Sequence, residues 1–269
     1  MNKKVYKKIF LGILVILIFS LSVISSNNEI KTVKTSSNSE GDKKIGWGIK
    51  RNDDHEQPDV GSSNKKILED NEGICLGNKD KKIIYLTFDE GYEAGYTPKI
   101  LETLKNNDVK ATFFITAHYV NTQDGLVKQM IDEGHIVGNH TVNHKSMPSL
   151  SEDEVKTEVM ELHQSIYDKF GYEMKYIRPP MGEFNKSTLE ITNSLGYKTV
   201  MWSFAYEDWN EDKQPDEEKS IQKIVNNFHN GEIMLLHGNS KTNTNILDSI
   251  IKEAKNAGYE FKSLNEFEK

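Results

Sequence analysis

Two histidines four residues apart, His140 and His144, are the strongest candidates for metal binding in this sequence. If the chain turns helically there, side chains at positions i and i+4 face the same way. Imidazole nitrogens suit zinc, iron, nickel or cobalt. The single cysteine, Cys75, excludes a cysteine-based zinc site, so any metal must be held by His, Asp or Glu. Taken alone, such a pair is as often two surface histidines as a metal site. The residues predicted to lie near it decide between these two interpretations.

An adjacent acidic pair, Asp89 and Glu90, follows the apolar run Ile83–Phe88, which is typical of a buried strand. Two histidines and a carboxylate form a known catalytic set of metal ligands that leaves positions open for water and substrate. Neighbouring residues at a strand end point in different directions, so one acid could contact the metal and the other its water. The alternative is a solvated turn before Gly91.

Three further polar residues, Arg178, Asp208 and His237, also follow apolar runs that are predicted to be strands. Parallel strands end at one rim of a sheet, which is where barrel enzymes keep their active sites. There, Arg178 could pair with Asp89 and keep it ionised. A lone histidine after a strand is usually structural, but on this rim His237 could be a general acid that Asp208 holds in place.

Alternating strands and helices from Lys82 onward would bring these residues together. Predicted strands cover Ile83–Phe88, Ala111–Ile115, Ile136–Val137, Lys198–Phe204, Glu232–Leu236 and Tyr259–Phe261, and predicted helices cover Thr97–Asn107, Gln123–Glu133 and Ser151–Phe170. The joints from helix to strand hold a glycine or asparagine, at Asn107, Gly134, Gly171, Gly196 and Gly258. Such residues supply the left-handed conformation that ends a helix. Repeated units of this kind predict an α/β fold with a parallel sheet or barrel.

The chain is predicted to have three parts. Residues 1–25 contain four lysines and an apolar run that starts at Ile9, which is typical of a signal peptide or of an uncleaved membrane anchor. Lysines that stay in the cytoplasm would place the rest of the chain outside, secreted or anchored. Residues 26–80 are predicted to be a linker and N-terminal arm, in which Gly46–Ile49 packs on the main domain or forms a lip facing a substrate. Residues 81–269 form that domain.

The charge of the chain narrows the possible partners. The formal net charge is −7, and the N-terminal lysines leave the remainder more acidic still. Binding to nucleic acid needs a basic face, so nucleic acid is excluded as the expected partner. An uncharged or weakly charged glycan is compatible with this composition.

Five short motifs occur in order along the main domain. They are Thr87–Gly91, His140–His144, Arg178–Gly182, Asp208–Trp209 and Leu235–His237. In residues, order and spacing they resemble the motifs of the NodB-homology polysaccharide deacetylases, carbohydrate esterase family 4, over roughly Lys82 to Phe267. The resemblance implies a distorted (β/α) barrel with incomplete closure, and an enzyme that removes N-acetyl groups from a glycan with the help of a divalent metal.

The resemblance also implies roles in proton transfer and charge stabilisation. Asp89 matches the catalytic base, and Arg178 matches the arginine that tethers it. His237 matches the catalytic acid, and Asp208 matches the residue that tunes this acid. The backbone N–H of Met181 matches the donor to the oxyanion, at a position that is often aromatic in the family.

Metal and substrate contacts follow from the same comparison. His140 and His144 match the metal ligands, and Glu90 stands where the family usually has an aspartate ligand. Zinc is the first expectation for the metal, with cobalt, nickel, manganese or iron as alternatives. Leu235 matches the wall of the pocket for the acetate methyl group, and Trp209 lies beside it.

Within the family, Gly91–Pro98 and the Gly46–Gly48 arm resemble the members that deacetylate N-acetylmuramic acid to form muramic δ-lactam in the bacterial spore cortex. The expected partner is therefore the peptidoglycan of the cell wall or spore envelope, with the membrane as a second partner if residues 1–25 are retained. Alternatives are N-acetylglucosamine of vegetative peptidoglycan, a chitin oligomer, an exopolysaccharide, or a non-catalytic glycan-binding protein. A glycosidase using Asp89 and Glu90 is disfavoured, because its carboxyls must lie about 5 Å or more apart across a sugar.

Overall fold

A computed structural model of the chain describes residues 43–52 and 54–269. All of these residues belong to one compact unit. The predicted export segment, residues 1–25, lies outside the described residues. Within the described ranges, no helix is long and apolar enough to cross a membrane.

A curved parallel sheet forms the centre of the molecule. The strands are β1 (Ile45–Gly46), β2 (Ile83–Glu90), β3 (Thr112–Ile115), β4 (Ile136–Asn139), β5 (Tyr176–Ile177), β6 (Glu183–Phe184), β7 (Lys198–Thr199), β8 (Glu232–His237) and β9 (Glu260–Phe261). Seven of them form one sheet in the order β7-β5-β4-β3-β2-β8, with β9 paired to the start of β2. Every pairing in this sheet is parallel, so its strands end at the same rim.

Helices flank the sheet and bury their apolar stripes against it. They are α1 (Ser62–Asp70), α2 (Thr97–Asn106), α3 (Ala117–Thr122), α4 (Asp124–Asp132), α5 (Glu152–Phe170), α6 (Lys186–Ser194), α7 (Glu217–Val225) and α8 (Lys241–Asn256). In α8, for example, Ile246, Leu247 and Ile250 share one buried face, as the 3.6-residue period of a helix requires. Strand β2 is buried along its whole length, which explains why Ile83–Phe88 is almost entirely apolar.

The sheet closes into a barrel only incompletely, as the family resemblance implied. Residues 200–206 span the gap between the edge strands β7 and β8. The Val200 N–H donates to the Ile177 carbonyl, whereas further along the segment Phe204 bridges to Met234 on β8. The predicted strand Lys198–Phe204 is therefore wrong beyond Thr199, because this segment leaves one edge of the sheet to reach the other.

The joints between helices and strands have the predicted backbone conformation. Glycines 134, 171, 196 and 258 have φ values of 79°, 64°, 85° and 85°. At the first joint the left-handed residue is Asp108, with φ of 51°, rather than the preceding Asn107. Ser151 and Glu154 form the capping box that starts α5, so this helix begins and ends on local signals.

The described part of the predicted linker, from residue 43 to residue 80, packs on the barrel. Strand β1 pairs antiparallel with β6, and α1 buries Leu68. Trp47, Leu68 and Cys75 form an apolar cluster with residues of the main domain, including Phe184. Helix α1 was not predicted, because its one buried leucine stands among polar residues and gives no clear periodic pattern.

Candidate active site

The C-terminal rim of the sheet surrounds a cavity of about 600 Å³. Seven of the residues selected from the sequence line it: Asp89, His140, His144, Met181, Trp209, Leu235 and His237. Arg178 and Asp208 lie directly behind this lining and are fully buried. The convergence of five segments at one rim, which was predicted because parallel strands end at the same rim, is present in the structure.

Asp89 is held at the end of β2 by a buried ion pair. Arg178 Nη1 donates to Asp89 Oδ1 at 2.8 Å, and its guanidinium is itself fixed by the ring of Phe114 and the carbonyl of Val200. Burial alone would raise the pKa of the Asp89 carboxyl, but the charge of Arg178 outweighs it, so the pKa lies below its usual value. Asp89 is therefore an ionised carboxylate at neutral pH, able to accept a proton.

His140 and His144 face each other with their Nε2 atoms 3.1 Å apart. They do so without the helical turn expected from their spacing: Thr141 and His144 are left-handed, with φ of 67° and 54°. This turn is held by bonds from the Thr141 N–H to Asn139 Oδ1 and from the His144 N–H to Thr141 Oγ1. The side chain of Asn139 therefore stabilises the turn that orients the two histidines toward each other.

The protonation state of the histidine pair suits a metal ion. His140 Nδ1 donates to the carbonyl of Arg178 at 2.8 Å, which leaves the lone pair on Nε2, 3.6 Å from Asp89 Oδ2. Burial lowers the pKa of His140 to about 4, and burial also lowers that of His144. Both rings are thus neutral at pH 7, as metal ligation requires. No preformed set of three His, Cys, Asp or Glu ligands exists among residues 43–52 and 54–269.

His237 lies level with Asp89 on the neighbouring strand β8. Its Nδ1 donates to Asp208 Oδ1 at 2.7 Å, and its backbone N–H donates to Asp208 Oδ2 at 2.9 Å. Burial would lower the pKa of His237, but the carboxylates of Asp208 and Asp89 raise it above the usual value. The His237 imidazole therefore keeps its proton to higher pH than a free histidine, and it faces the cavity beside an ionised carboxylate, which is the pairing that acid–base hydrolysis needs.

Glu90, which was predicted from the sequence to be a metal ligand, does not line the cavity with the histidine pair. It is fully buried away from the cavity, with Oε1 3.5 Å from Thr97 Oγ1. A Cβ atom on Gly238 would lie 1.9 Å from Glu90 Oε1, so the carboxyl packs directly on that backbone. Successive side chains of a strand point to opposite faces, and β2 extends far enough to include both acids. Burial, and then the charges of Glu93 and Asp89, raise the Glu90 pKa well above its usual value.

Comparison with known proteins identifies the family. The sequence model of the family "Polysaccharide deacetylase" matches residues 76–200. The peptidoglycan-N-acetylmuramic acid deacetylase PdaA of Bacillus subtilis is 41% identical over 84% of this chain and 87% of its own length. This chain belongs to the polysaccharide deacetylase family. An uncharacterized 30.6 kDa protein of Geobacillus stearothermophilus is 44% identical over 82% of this chain and 84% of its own.

The fold gives the same family assignment. The structure of Bacillus subtilis PdaA, a family 4 carbohydrate esterase, superposes with a TM-score of 0.81 at 40% identity, covering 84% of this chain and 97% of that one. Family membership makes the protein a hydrolase of N-acetyl amides. The rim cavity is the place where the described residues combine a base, an acid and neutral histidines for such a reaction.

Several cavity residues were not selected as site residues from the sequence. Tyr92 and Asn239 line the mouth, where Asn239 Nδ2 donates to the Tyr92 hydroxyl and to the Trp209 carbonyl. Trp202 and Tyr206 line the wall, and Tyr206 is also mostly buried, so it belongs to both core and cavity. Tyr92 lies in the Gly91–Pro98 segment that carries the resemblance to the N-acetylmuramic acid deacetylases, whereas the signal for Asn239 was its place two residues after His237.

Proposed function

We propose that this protein is a peptidoglycan deacetylase that removes the N-acetyl group of N-acetylmuramic acid, on the route to muramic δ-lactam in the spore cortex. The observation that carries the hydrolysis is the placing of the Asp89–Arg178 and His237–Asp208 pairs around one cavity beside two neutral histidines. The choice of sugar is supported by the similarity to PdaA and by the Gly91–Pro98 segment, whose Tyr92 reaches the mouth of that cavity.

The donor set fits a divalent metal, zinc first, held by His140 and His144 through Nε2. Their facing Nε2 atoms and the outward bond from His140 Nδ1 to a carbonyl are the arrangement found around metal-bound histidines. His140 and His144 would hold the metal, and Asp89, whose Oδ2 lies 3.6 Å from His140 Nε2, would stand beside it as the base. When bound, the metal supplies Lewis acidity toward the acetyl carbonyl and lowers the pKa of a bound water.

The chain's own residues divide the proton transfers between them. Asp89 accepts a proton from the attacking water, and Arg178 keeps it ionised for this step. The N–H of Met181 donates to the oxygen that becomes negative as water adds to the acetyl carbon. His237, whose pKa Asp208 raises, then donates a proton to the departing nitrogen. The C–N bond breaks, and the products are acetate and the free amine of the sugar.

We propose that residues 1–25 carry the protein across the membrane, as signal or anchor, and that residues 81–269 contain the whole catalytic apparatus. This arrangement brings the cavity to the side of the membrane on which peptidoglycan lies.

Leu235 and Trp209, both in the cavity lining, are suited to receive the acetate methyl group, because they offer apolar surface next to the polar groups.

Replacement of Glu90 by glutamine is expected to leave metal affinity unchanged. The Glu90 carboxyl faces Thr97 and Gly238 rather than the histidines, and its raised pKa makes the neutral amide a close substitute. Titration calorimetry with zinc on the full-length chain measures this, with His144→Ala as the matched variant that should bind weakly. A loss of affinity in Glu90→Gln as large as that in His144→Ala would restore Glu90 as a ligand.

The substrate proposal is tested by incubating the full-length protein with peptidoglycan that contains both peptide-free and peptide-bearing muramic acid. Fragments released by a muramidase are identified by mass spectrometry, with and without a chelator. We expect deacetylation of peptide-free N-acetylmuramic acid, with N-acetylglucosamine untouched, and no reaction after chelation. Deacetylation mainly at N-acetylglucosamine would overturn the choice of sugar, and absence of any acetate release would overturn the function itself.

A further inference from the structure

The N-terminal arm, residues 43–49, is paired with the segment that forms one wall of the cavity. Strand β1 pairs with β6 in the register Ile45 to Phe184 and Gly46 to Glu183. The Trp47 N–H extends this ladder by donating to the Gly182 carbonyl at 2.8 Å. The arm thus makes backbone bonds up to the residue next to Met181, which lines the cavity.

The Trp47 side chain makes a second connection, to the opposite part of the same wall. Trp47 is 8% exposed, and its indole Nε1 donates to the Trp202 carbonyl at 2.8 Å. A Cβ atom on Gly182 would lie 2.6 Å from Trp202 Cη2 and 3.2 Å from Trp47 Cβ. Gly182 is therefore enclosed between two tryptophans, one of the arm and one of the cavity lining, and no larger residue fits there.

The turn that Trp47 holds is strained. Met181 has φ of 58° and ψ of 8°, the left-handed region, yet its side chain is 55% exposed. A non-glycine residue costs about 1–2 kcal/mol in this conformation, and an exposed side chain recovers little of that by packing. The strain must be offset by neighbours, and the arm supplies backbone bonds on the C-terminal side of Met181.

We propose that Trp47 is a positioning residue for the deacetylation: it locks the Met181–Gly182 turn against Trp202, so that the turn and the cavity wall keep the geometry that the reaction needs. The inference rests on the proposed function, in which the Met181 N–H stabilises the developing oxyanion. Trp47 itself does not line the cavity, so its effect passes through Gly182 and Trp202. Through Trp47 the arm then supports the cavity wall of the catalytic domain and is not a covering alone.

The test compares three variants of the full-length chain: Trp47→Ala, Trp47→Phe and Lys44→Ala. Lys44 is the matched control, because it lies on the same arm and pairs with Glu183 at the surface. We measure kcat and KM for acetate release from a muramic-acid glycan. We also measure inhibition by an analogue of this glycan in which a methylphosphonamidate group replaces the acetamide. This analogue is tetrahedral and anionic, so its affinity reports on the oxyanion geometry. Zinc content and melting temperature are recorded for each variant.

Trp47→Ala is expected to lower kcat by about 10²-fold, the effect of a misplacement of roughly 1 Å at a catalytic group. KM and zinc content should stay near the wild-type values, and affinity for the analogue should fall in proportion to kcat. Trp47→Phe keeps an aromatic ring but loses the hydrogen bond to the Trp202 carbonyl. Its kcat should therefore fall by about fivefold, the value of one hydrogen bond. Lys44→Ala should remain within about twofold of wild type, since surface ion pairs contribute little.

Normal kcat and analogue affinity in Trp47→Ala, in a protein whose wild type is active, would overturn this inference alone. A parallel loss of zinc, substrate binding and folded protein in both Trp47 variants would also overturn it, because a purely structural role predicts that pattern. A wild-type protein that releases no acetate from any glycan would overturn the proposed function, and the inference with it.

Discussion

Acetate release is expected to fall about 10²- to 10⁴-fold when Asp89 is replaced by asparagine, the usual range for loss of a general base. The side chain keeps nearly the same shape and can still accept a bond from Arg178 Nη1, which lies 2.8 Å from Asp89 Oδ1. It can no longer take a proton from water. Zinc bound through the two histidines, and glycan binding, should persist, so the loss should appear in kcat.

The measurement is acetate release under saturating glycan, with zinc content determined on the same samples. The substitution also leaves the buried Arg178 without its counter-charge, which costs about 3–5 kcal/mol when a buried pair is broken in this way. The melting temperature should therefore fall, and rates must be compared below the transition of the variant. Asp124→Asn, the same chemical change at an exposed position, is the control. Normal turnover in Asp89→Asn would overturn the mechanism.

Replacement of His140 by alanine is expected to remove bound metal and activity together. His140 and His144 supply the two facing nitrogens, and the loss of one leaves a single imidazole with the nearby Asp89. If the metal contributes about 4 kcal/mol to the transition state, its loss lowers the rate roughly 10³-fold. Excess zinc should restore little, because the remaining donors do not define a site.

Metal content after dialysis, measured by plasma mass spectrometry beside acetate release, checks this expectation. His118→Ala provides the control, since His118 is an exposed histidine on α3. Full activity of metal-stripped His140→Ala would remove the metal from the mechanism. Retained metal with lost activity would instead assign His140 to catalysis and move the ion elsewhere.

Local signals in the sequence were sufficient for the plan of the barrel. The largely apolar run Ile83–Phe88 of β2 indicates burial on both faces. The glycines at the helix ends report a backbone conformation that few other residues adopt without strain. Because parallel strands end at one rim, the position of each residue after a predicted strand also sufficed to bring Asp89, His140 and His237 together. Each of these inferences depends on residues close together in the chain or on a rule that holds for every parallel sheet.

The tertiary structure decided the directions of side chains that depend on residues far away in the sequence. From the sequence, Glu90 was predicted to be a metal ligand beside Asp89. Strand β2 continues through Glu90, however, and the alternation of side chains along the strand directs its carboxyl toward Gly238, which is far away in the sequence. The histidine pair meets through a left-handed turn that Asn139 supports, where the spacing alone suggested a helix.

The N-terminal arm shows most clearly what the sequence predicted and what only the tertiary contacts determined. The sequence identified Gly46–Ile49 as an apolar island that would pack on the domain, and it does. That Trp47 would meet Gly182 and Trp202 depends on an antiparallel pairing across more than half of the chain. Residue types and short spacings determined which chemistry this protein carries. Contacts between segments remote in sequence, which no local pattern encodes, decided which side chains face the cavity and what holds its walls.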